Sequence, residues 1–526
     1  MCAFQRRIAK QDSAASPLYS GSPSETLRIA VTFNRPNGEP GLTKFNAPLS
    51  TAAVKHFVPD PVAVDRGIYE LSKHGFTVTT RGKMSVSVTG KREDFERAFG
   101  TRLERFDVDR KQPYTFHSFY FPPQGAPWAP APELKNAIDD AYIQWPHIYM
   151  ATPELVPQHV PQHRKKRSTS GLPSPKPPLV NYFHLDVPDG VASYINASRV
   201  HAAGTTGKGV RVVMVDSGFG HTLHPFFAAN GYRSSVDLAP GATNDKTDPN
   251  GHGTGESANV FAVAPGATFI GVKVDHDGAP NGGASMLEGF QTALQHNPQV
   301  ISISMGYDLR DEITRRQLSE LPNNLAALEA EVQAAVASGI VVVFSAGNGH
   351  FSFPGMLPDV ISAGGTFVDE DGNSEASDYA SAFDSKIYAG RHVPDFCGLV
   401  GLQPHASYIM LPIPKGCEID HETSVPPPPD SDPGDGTAVD DGWGVFSGTS
   451  AAAPQLAGVC ALLLEKNPSL TPSDIKAILR RTARDVLVGK SNSASSDDGV
   501  PMHAGPGDDG STGAGLVDAY AAWQQV

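Results

Sequence analysis

Four apolar runs of strand length recur between residues 209 and 345, with helical segments between the later ones, and this pattern restricts the fold more than any other feature. The runs are 209–215 (GVRVVMV), 269–274 (FIGVKV), 300–305 (VISISM) and 340–345 (IVVVFS), with helical periodicity over 286–294 and 325–338. Strands that are apolar on both faces belong in a parallel sheet covered by helices on both sides, an α/β architecture. In such sheets the functional groups gather beyond the carboxyl ends of the strands. Asp216, Ser304 and the turn Ser345-Ala346-Gly347-Asn348 all fall there.

A chain of 526 residues exceeds one ordinary core, so more than one domain is expected. Residues 1–26 are rich in Ser, Ala and Pro and read as a disordered N-terminus. The stretch 27–125 reads as a small α+β domain. It has a strand over Leu27–Phe33, and a helix after Pro61 with Val64, Ile68 and Leu71 on one face, ended by Gly75. Strands follow at 76–79 and 84–88 around Arg81-Gly82, then a short helix over 93–100 and a closing strand over 103–106. Residues 126–182 read as a Pro-rich linker, in which Arg164-Lys165-Lys166-Arg167 offers a target for proteolytic processing or a solvated charge cluster. The larger domain spans 183–526.

Charge divides along the same line. Residues 1–180 hold 24 Lys and Arg against 16 Asp and Glu, while the remainder holds 18 against 40. A basic front part on an acidic back part suggests that the two associate, and it argues against nucleic acid as partner of the larger part. Acidic surface also simply aids solubility. No apolar run is long enough to span a bilayer, so no membrane partner is expected. Met1–Arg7 is followed by no apolar segment of the kind a Sec signal peptide carries.

The chemistry centres on residues 446–454 (FSGTSAAAP), where a turn of small residues delivers Ser450 to the start of an apolar helix. Small neighbours admit a substrate, and a helix N-terminus favours developing negative charge. By itself this is equally a Ser/Thr helix cap. Two further residues change the balance. Asp216 closes a core strand, and His252 lies among small residues in 250–255 (NGHGTG). Nucleophile, base and orienting carboxylate are then all present, in the order Asp, His, Ser.

On the blocks VVMVDSG, NGHGTG, FSGTSAAAP and VVVFSAGNG, residues 183–526 resemble the subtilisin-type serine peptidases (subtilases). That resemblance implies a serine endopeptidase with Asp216, His252 and Ser450 as its triad and Asn348 as an oxyanion donor. It implies Ser304, Met305 and Gly306 on one side, and Asn281, Gly282 and Gly283 on the other, as β-partners of an extended peptide. It also implies secretion and no required cofactor. Tyr307 stands where the family usually has a glycine, which puts the usual preference for a large residue before the scissile bond in doubt. The front part, through HGF, VTG and FERAFGT at 74–76, 88–90 and 95–101, is similar to the activation prodomain of the sedolisin (kumamolisin-type) peptidases. This implies a proenzyme whose own prodomain acts as an intramolecular inhibitor, with polypeptide as substrate.

The chain departs from the subtilase pattern at Glu256, one helical turn after His252. In sedolisins a Glu replaces the histidine and an Asp lies one turn on, so Glu256 is either a second carboxylate near His252 or a solvated or capping residue, the simpler expectation. A long insertion before Ser450 carries Cys397, Cys417, four prolines at 426–429 and an Asp-rich run over 430–436 whose spacing is an incomplete Ca²⁺ loop. Cys397 and Cys417 could pair or stay free thiols. A catalytically silent scaffold of this fold and a sedolisin-like, acid-acting peptidase are the alternatives.

Overall fold

The computed structural model describes residues 25–35, 41–42, 48–107, 118–122, 126–145, 147–149, 173–278, 282–311, 314–424 and 434–526. The expected disordered N-terminus (through residue 24), the basic run 164–167, Asn281, and Asp430 and Asp432 therefore lie outside the described residues.

The front part is built on β1 (Thr26–Phe33). Helix α1 (Pro61–Lys73) begins on an Asp60 side-chain cap, and β2 (Thr77–Arg81) and β3 (Ser85–Lys91) follow. Then come α2 (Arg92–Phe99) and β4 (Ile138–Ile143). The four strands form an antiparallel sheet in the order β2-β3-β1-β4. Alternation along the strands sorts its two faces. Ile29, Val31, Val86 and Val88 enter a core with Leu71, Phe95 and Phe99. Ala30, Ser85 and Ser87, one residue out of phase, turn towards the larger domain.

Two expectations for this region are corrected. Glu104–Asp107 pairs with Ser118–Phe121 in a separate ribbon and does not close the sheet. The fourth strand is β4, inside the stretch 126–182 read as linker. Its sequence, IDDAYI, places two acids between its apolar residues and so lacks the alternation that marks a half-buried strand. A register shift between Thr32 and Phe33 accommodates the pairing. Beyond it lies a two-residue strand, β5 (Ile148–Tyr149).

The larger domain carries an eight-stranded sheet. In chain order the elements are β6 (Arg211–Asp216), β7 (Ser234–Leu238), α3 (His252–Val263), β8 (Thr268–Lys273) and α4 (Met286–Gln295). They continue with β9 (Val300–Ile303), β10 (Met305–Asp308), α5 (Ala326–Ala337), β11 (Val341–Ser345) and β12 (Ser352–Phe353). After β13 (Ile361–Val368), β14 (Ser374–Ala376) and β15 (Phe396–Leu399) comes α6 (Thr449–Lys466). The order is β7-β8-β6-β9-β11-β13-β14 with β15 also beside β13, and every pairing but β13–β14 is parallel. Val212 and Met214 face the core that holds α3 and α6. Val213 and Val215 face the core of α4 and α5. From β6 the chain first runs to one side of the sheet and then to the other. The β6/β9 boundary is therefore the switch point, the place where an open α/β sheet leaves a crevice.

The two parts dock through buried carboxylates on α4 and α5. Glu331 accepts from the backbone N–H of Lys83 (3.0 Å), Met84 (3.0 Å) and Ser85 (2.9 Å) and from Ser85 Oγ (2.8 Å). Glu288 accepts from Arg28 Nη1 (2.9 Å) and Thr79 Oγ1 (2.6 Å). Gln291 accepts from Ser87 Oγ (2.8 Å). Gly82 passes so close to Glu331 that a side chain would collide with its carboxylate. The two parts thus associate through backbone and side-chain donors meeting carboxylates, and through an apolar cluster of Leu49, Val54, Phe57 and Met84 with Ala330 and Ala334 of α5.

Removing a charged acceptor that serves three backbone N–H groups leaves those donors buried and unsatisfied. Glu331→Ala is expected to weaken docking by on the order of 3 kcal/mol. Hydrogen exchange of the full chain should then show the amides of residues 82–85 losing protection, and unchanged protection would refute the role given to Glu331.

Candidate active site

Asp216 ends β6, fully buried, with its Oδ1 accepting the backbone N–H of Ser217 at 2.7 Å. The same oxygen lies 2.7 Å from His252 Nδ1. An ionised carboxylate only accepts, so Nδ1 carries the proton and Nε2 is left as the basic nitrogen. His252 opens α3, and Gly251 before it adopts φ 97°, packed against the Cys417 sulfur. Asp248 fastens this turn. It accepts from Ser217 Oγ (2.8 Å), Gly251 N (3.0 Å), Thr254 N (2.9 Å) and Thr254 Oγ1 (2.7 Å). The imidazole is therefore held from both sides of the strand–helix crossing.

Ser450 is the second residue of α6 and is 5% exposed. Its backbone carbonyl accepts from Ser304 Oγ at 3.0 Å. Ser304 directly follows β9, whose Ile303 pairs with Val215 beside Asp216. Helix α6 packs on α3, and Gly458 permits the approach, since a Cβ there would come within 2.6 Å of Val263 Cβ.

Asn348 follows β11. Its Oδ1 accepts from Thr449 N and Thr449 Oγ1, both at 2.9 Å. With the oxygen engaged, Nδ2 is the donor end of the amide. A Cβ on Gly448 would come within 2.6 Å of that nitrogen, which accounts for the glycine. The four predicted residues thus sit on one edge of the sheet, drawn together by β6, β9, β11 and the starts of α3 and α6.

At His252 burial competes with nearby carboxylates. Burial opposes its protonation, but the charge and hydrogen bond of Asp216, then the charges of Glu256 and Asp248, raise its pKa above the usual imidazole range. Glu256 is neither solvated nor capping. It is 1% exposed, and burial raises its carboxyl well above the usual range, with His252 opposing and Asp216 assisting. The simpler expectation for Glu256 is thereby corrected. A residue four places after the first helical residue lies on the same face, and on a helix buried on every side that face is interior.

Of the predicted substrate-binding residues, Met305 and Gly306 form a ladder with the front part. β5 runs antiparallel to β10, pairing Tyr149 with Met305 and Ile148 with Gly306, while β12 flanks β10 on its other side. Tyr307 is buried and donates its hydroxyl to the Trp145 carbonyl at 3.3 Å. Gly282 and Gly283 join no ladder among the described residues, and the Gly282 carbonyl accepts from Arg28 Nη2 at 2.9 Å. No motif pointed to His147, which is fully buried near Asp216. Burial lowers its pKa to about 3, and the Asp216 charge opposes. Thr449 was readable only as part of the FSGTSAAAP block.

Among the described residues no group of three or more His, Cys, Asp or Glu could hold a metal ion. Asp435, the described acid of the candidate Ca²⁺ loop, spends its carboxylate on Thr437 N (2.9 Å), Thr437 Oγ1 (2.7 Å) and Val445 N (3.0 Å), and so does not fit a cation ligand. Cys397, Cys417 and Cys460 are free and buried, so the pairing considered for the first two is absent.

The Subtilase family model matches residues 207–515. Subtilisin E of Bacillus subtilis (strain 168) is 27% identical over 321 residues, covering 58% of this chain and 68% of that one. Serine protease AprX of the same organism is 30% identical over 308 residues, covering 52% of this chain and 61% of its own. Among solved structures, fervidolysin from Fervidobacterium pennivorans, a keratinolytic enzyme related to subtilisin, matches with a TM-score of 0.52 at 18% identity. That match covers 97% of this chain and 62% of fervidolysin.

An imidazole fixed by a carboxylate, at the sheet edge that also carries a serine at a helix start, should make that serine reactive. A fluorophosphonate is expected to label Ser450, with labelling lost in His252→Ala. Equal labelling of both proteins would show that the two residues do not act together.

Proposed function

We propose, from the premise that this chain belongs to the subtilase family, that Asp216, His252 and Ser450 form its catalytic triad and Asn348 its oxyanion donor. The protein is a serine endopeptidase. Subtilases hydrolyse peptides without a cofactor. Ser450 Oγ attacks the peptide carbonyl while His252 Nε2 takes its proton, then passes it to the leaving amine. Asp216 keeps the proton on Nδ1 and stabilises the imidazolium. Asn348 Nδ2 and the backbone N–H of Ser450 donate to the tetrahedral oxyanion, a contribution in which each such donor is worth about 10²–10³ in rate. The observation that carries these assignments is the buried 2.7 Å contact between Asp216 and His252, at the same sheet edge as Ser450.

The front part is, in this proposal, an activation prodomain of the sedolisin type that inhibits the enzyme until it is cut away. Support comes from β5, which lies as an antiparallel partner of Met305–Gly306, where an extended polypeptide substrate would be held by main-chain hydrogen bonds. Its likeness in sequence to the sedolisin prodomain and its docking on α4 and α5 agree. The cut then belongs shortly after Tyr149, ahead of the basic run at 164–167.

Mass spectrometry of the purified chain beside Ser450→Ala tests self-processing. A mature fragment starting soon after residue 149 is expected only with Ser450 present, and an identical fragment in both would defeat the proposal.

The raised His252 pKa fixes the sign of the pH dependence. The imidazole must be neutral to act as base, so peptidase activity should rise with pH through a limb above about 6.5, the free imidazole value. Activity confined to strongly acidic pH would instead support the sedolisin-like alternative.

A further inference from the structure

Glu256, a buried acid on the helix of the base, is left unused by this mechanism. Glu256 lies one turn after His252, and all twelve residues of α3 are buried. Its Oε2 accepts from Asn259 Nδ2 at 3.0 Å, whereas Oε1 is buried with no hydrogen-bond partner among the described residues. An unpaired carboxylate oxygen in an apolar interior is costly unless a positive charge offsets it or the group takes up a proton. Among the described residues, the polar groups around it offer no lysine or arginine. β6 brings Asp216, and the turn before α3 brings Asp248, bound to Ser217, Gly251 and Thr254. From α6 comes neutral Gln455, whose Nε2 donates to Asn259 Oδ1 at 3.1 Å, and the buried Cys460 thiol. The helix Asp189–Tyr194, also packed on α3, carries Asp189 at an exposed helix start and Tyr194, which donates to the Asp369 carbonyl. The strand Ile409–Pro412 contributes no titratable side chain. His221 is occupied between Ser234 and Ser257, and His147, between β4 and β5, lies near Asp216. Gly255 packs against Phe446 and Ile413, so the wall there is apolar. Among the described residues, the cation that forms within reach is His252 itself.

We propose that Glu256 is a positioning residue for the base: its buried carboxylate holds a proton on His252 at pH values where the imidazole would otherwise be free, and so moves peptidase activity towards alkaline pH. The two groups exchange no proton with substrate through Glu256. They titrate as a coupled pair in which a charged imidazole favours the charged carboxylate and the reverse. The charge of Glu256 raises His252, and that of His252 lowers Glu256, as such coupling requires. The inference rests on His252 being the general base.

Comparing kcat/KM against pH for the processed enzyme and Glu256→Gln tests it. Glutamine keeps an oxygen for Asn259 and removes the charge. The acid limb of the variant is expected to move down by about one pH unit, so that activity one unit below the wild-type midpoint rises several-fold relative to the plateau. Superimposed limbs would overturn the inference. Should Glu256→Gln fail to mature, the His252 imidazole can be titrated by NMR in full-length Ser450→Ala with and without Glu256→Gln. A lower midpoint in the double variant supports the coupling, and an unchanged midpoint overturns it. Failure of the triad assignment is separately visible: His252→Ala would then keep its activity, whereas an inactive His252→Ala with an unmoved Glu256→Gln limb sinks only the role of Glu256.

Discussion

The buried hydrogen bond from His252 Nδ1 to Asp216 is the contact on which the carboxyl edge of the sheet depends. It joins the end of a central strand to the first residue of a helix 36 positions later. A carboxylate with no exposure is tolerable only when something positive or protic meets it. The Ser217 N–H and the imidazole fill that need at Oδ1. Asp248 repeats the device one layer out, tying Ser217 to the helix start through Gly251 and Thr254. Once strand and helix are locked in this way, α6 can lie along α3 only where Gly458 admits it, and that contact sets the depth at which Ser450 emerges.

Carboxylates recur as the organising groups away from this edge. Glu331, Glu288 and the neutral Gln291 turn two helices of the larger domain into a docking face for the polar side of the front sheet. The donors they receive are mostly hydroxyl and backbone N–H groups that alternation places opposite the front part's own apolar core. Docking buries the Glu331 carboxyl and so raises its pKa, and the hydrogen bonds from Ser85, Met84 and Lys83 offset that burial. Beside these polar groups lies a small apolar cluster, in which Leu49, Val54, Phe57 and Met84 of the front part meet Ala330 and Ala334 of α5.

Legibility in the sequence followed the reach of each signal. Strands β6, β8, β9 and β11 were visible because strands apolar on both faces have few alternatives. Asp216, His252, Asn348 and Ser450 were visible because each sits in a short block of small residues whose local conformation is nearly forced. β4 was not, since its two acids break the alternation and its place is decided by the vacant edge of β1. Glu256 was misjudged for a related reason. A glutamate in a helix is ordinarily exposed, and nothing local reveals that this helix is covered on all sides.

By itself, then, the sequence determined the α/β class, the α+β character of the front part, the chain order of the proposed site residues and the atoms they could offer, because those follow from local periodicity and side-chain chemistry. Only the tertiary structure decided that Glu256 is buried beside His252, that Cys397 and Cys417 stay apart as thiols, that Asp435 is consumed by its own loop, and that β5 lies along Met305–Gly306. Each of these depends on which groups from distant parts of the chain exclude water from one another, and burial and pairing across hundreds of residues leave no trace in local pattern.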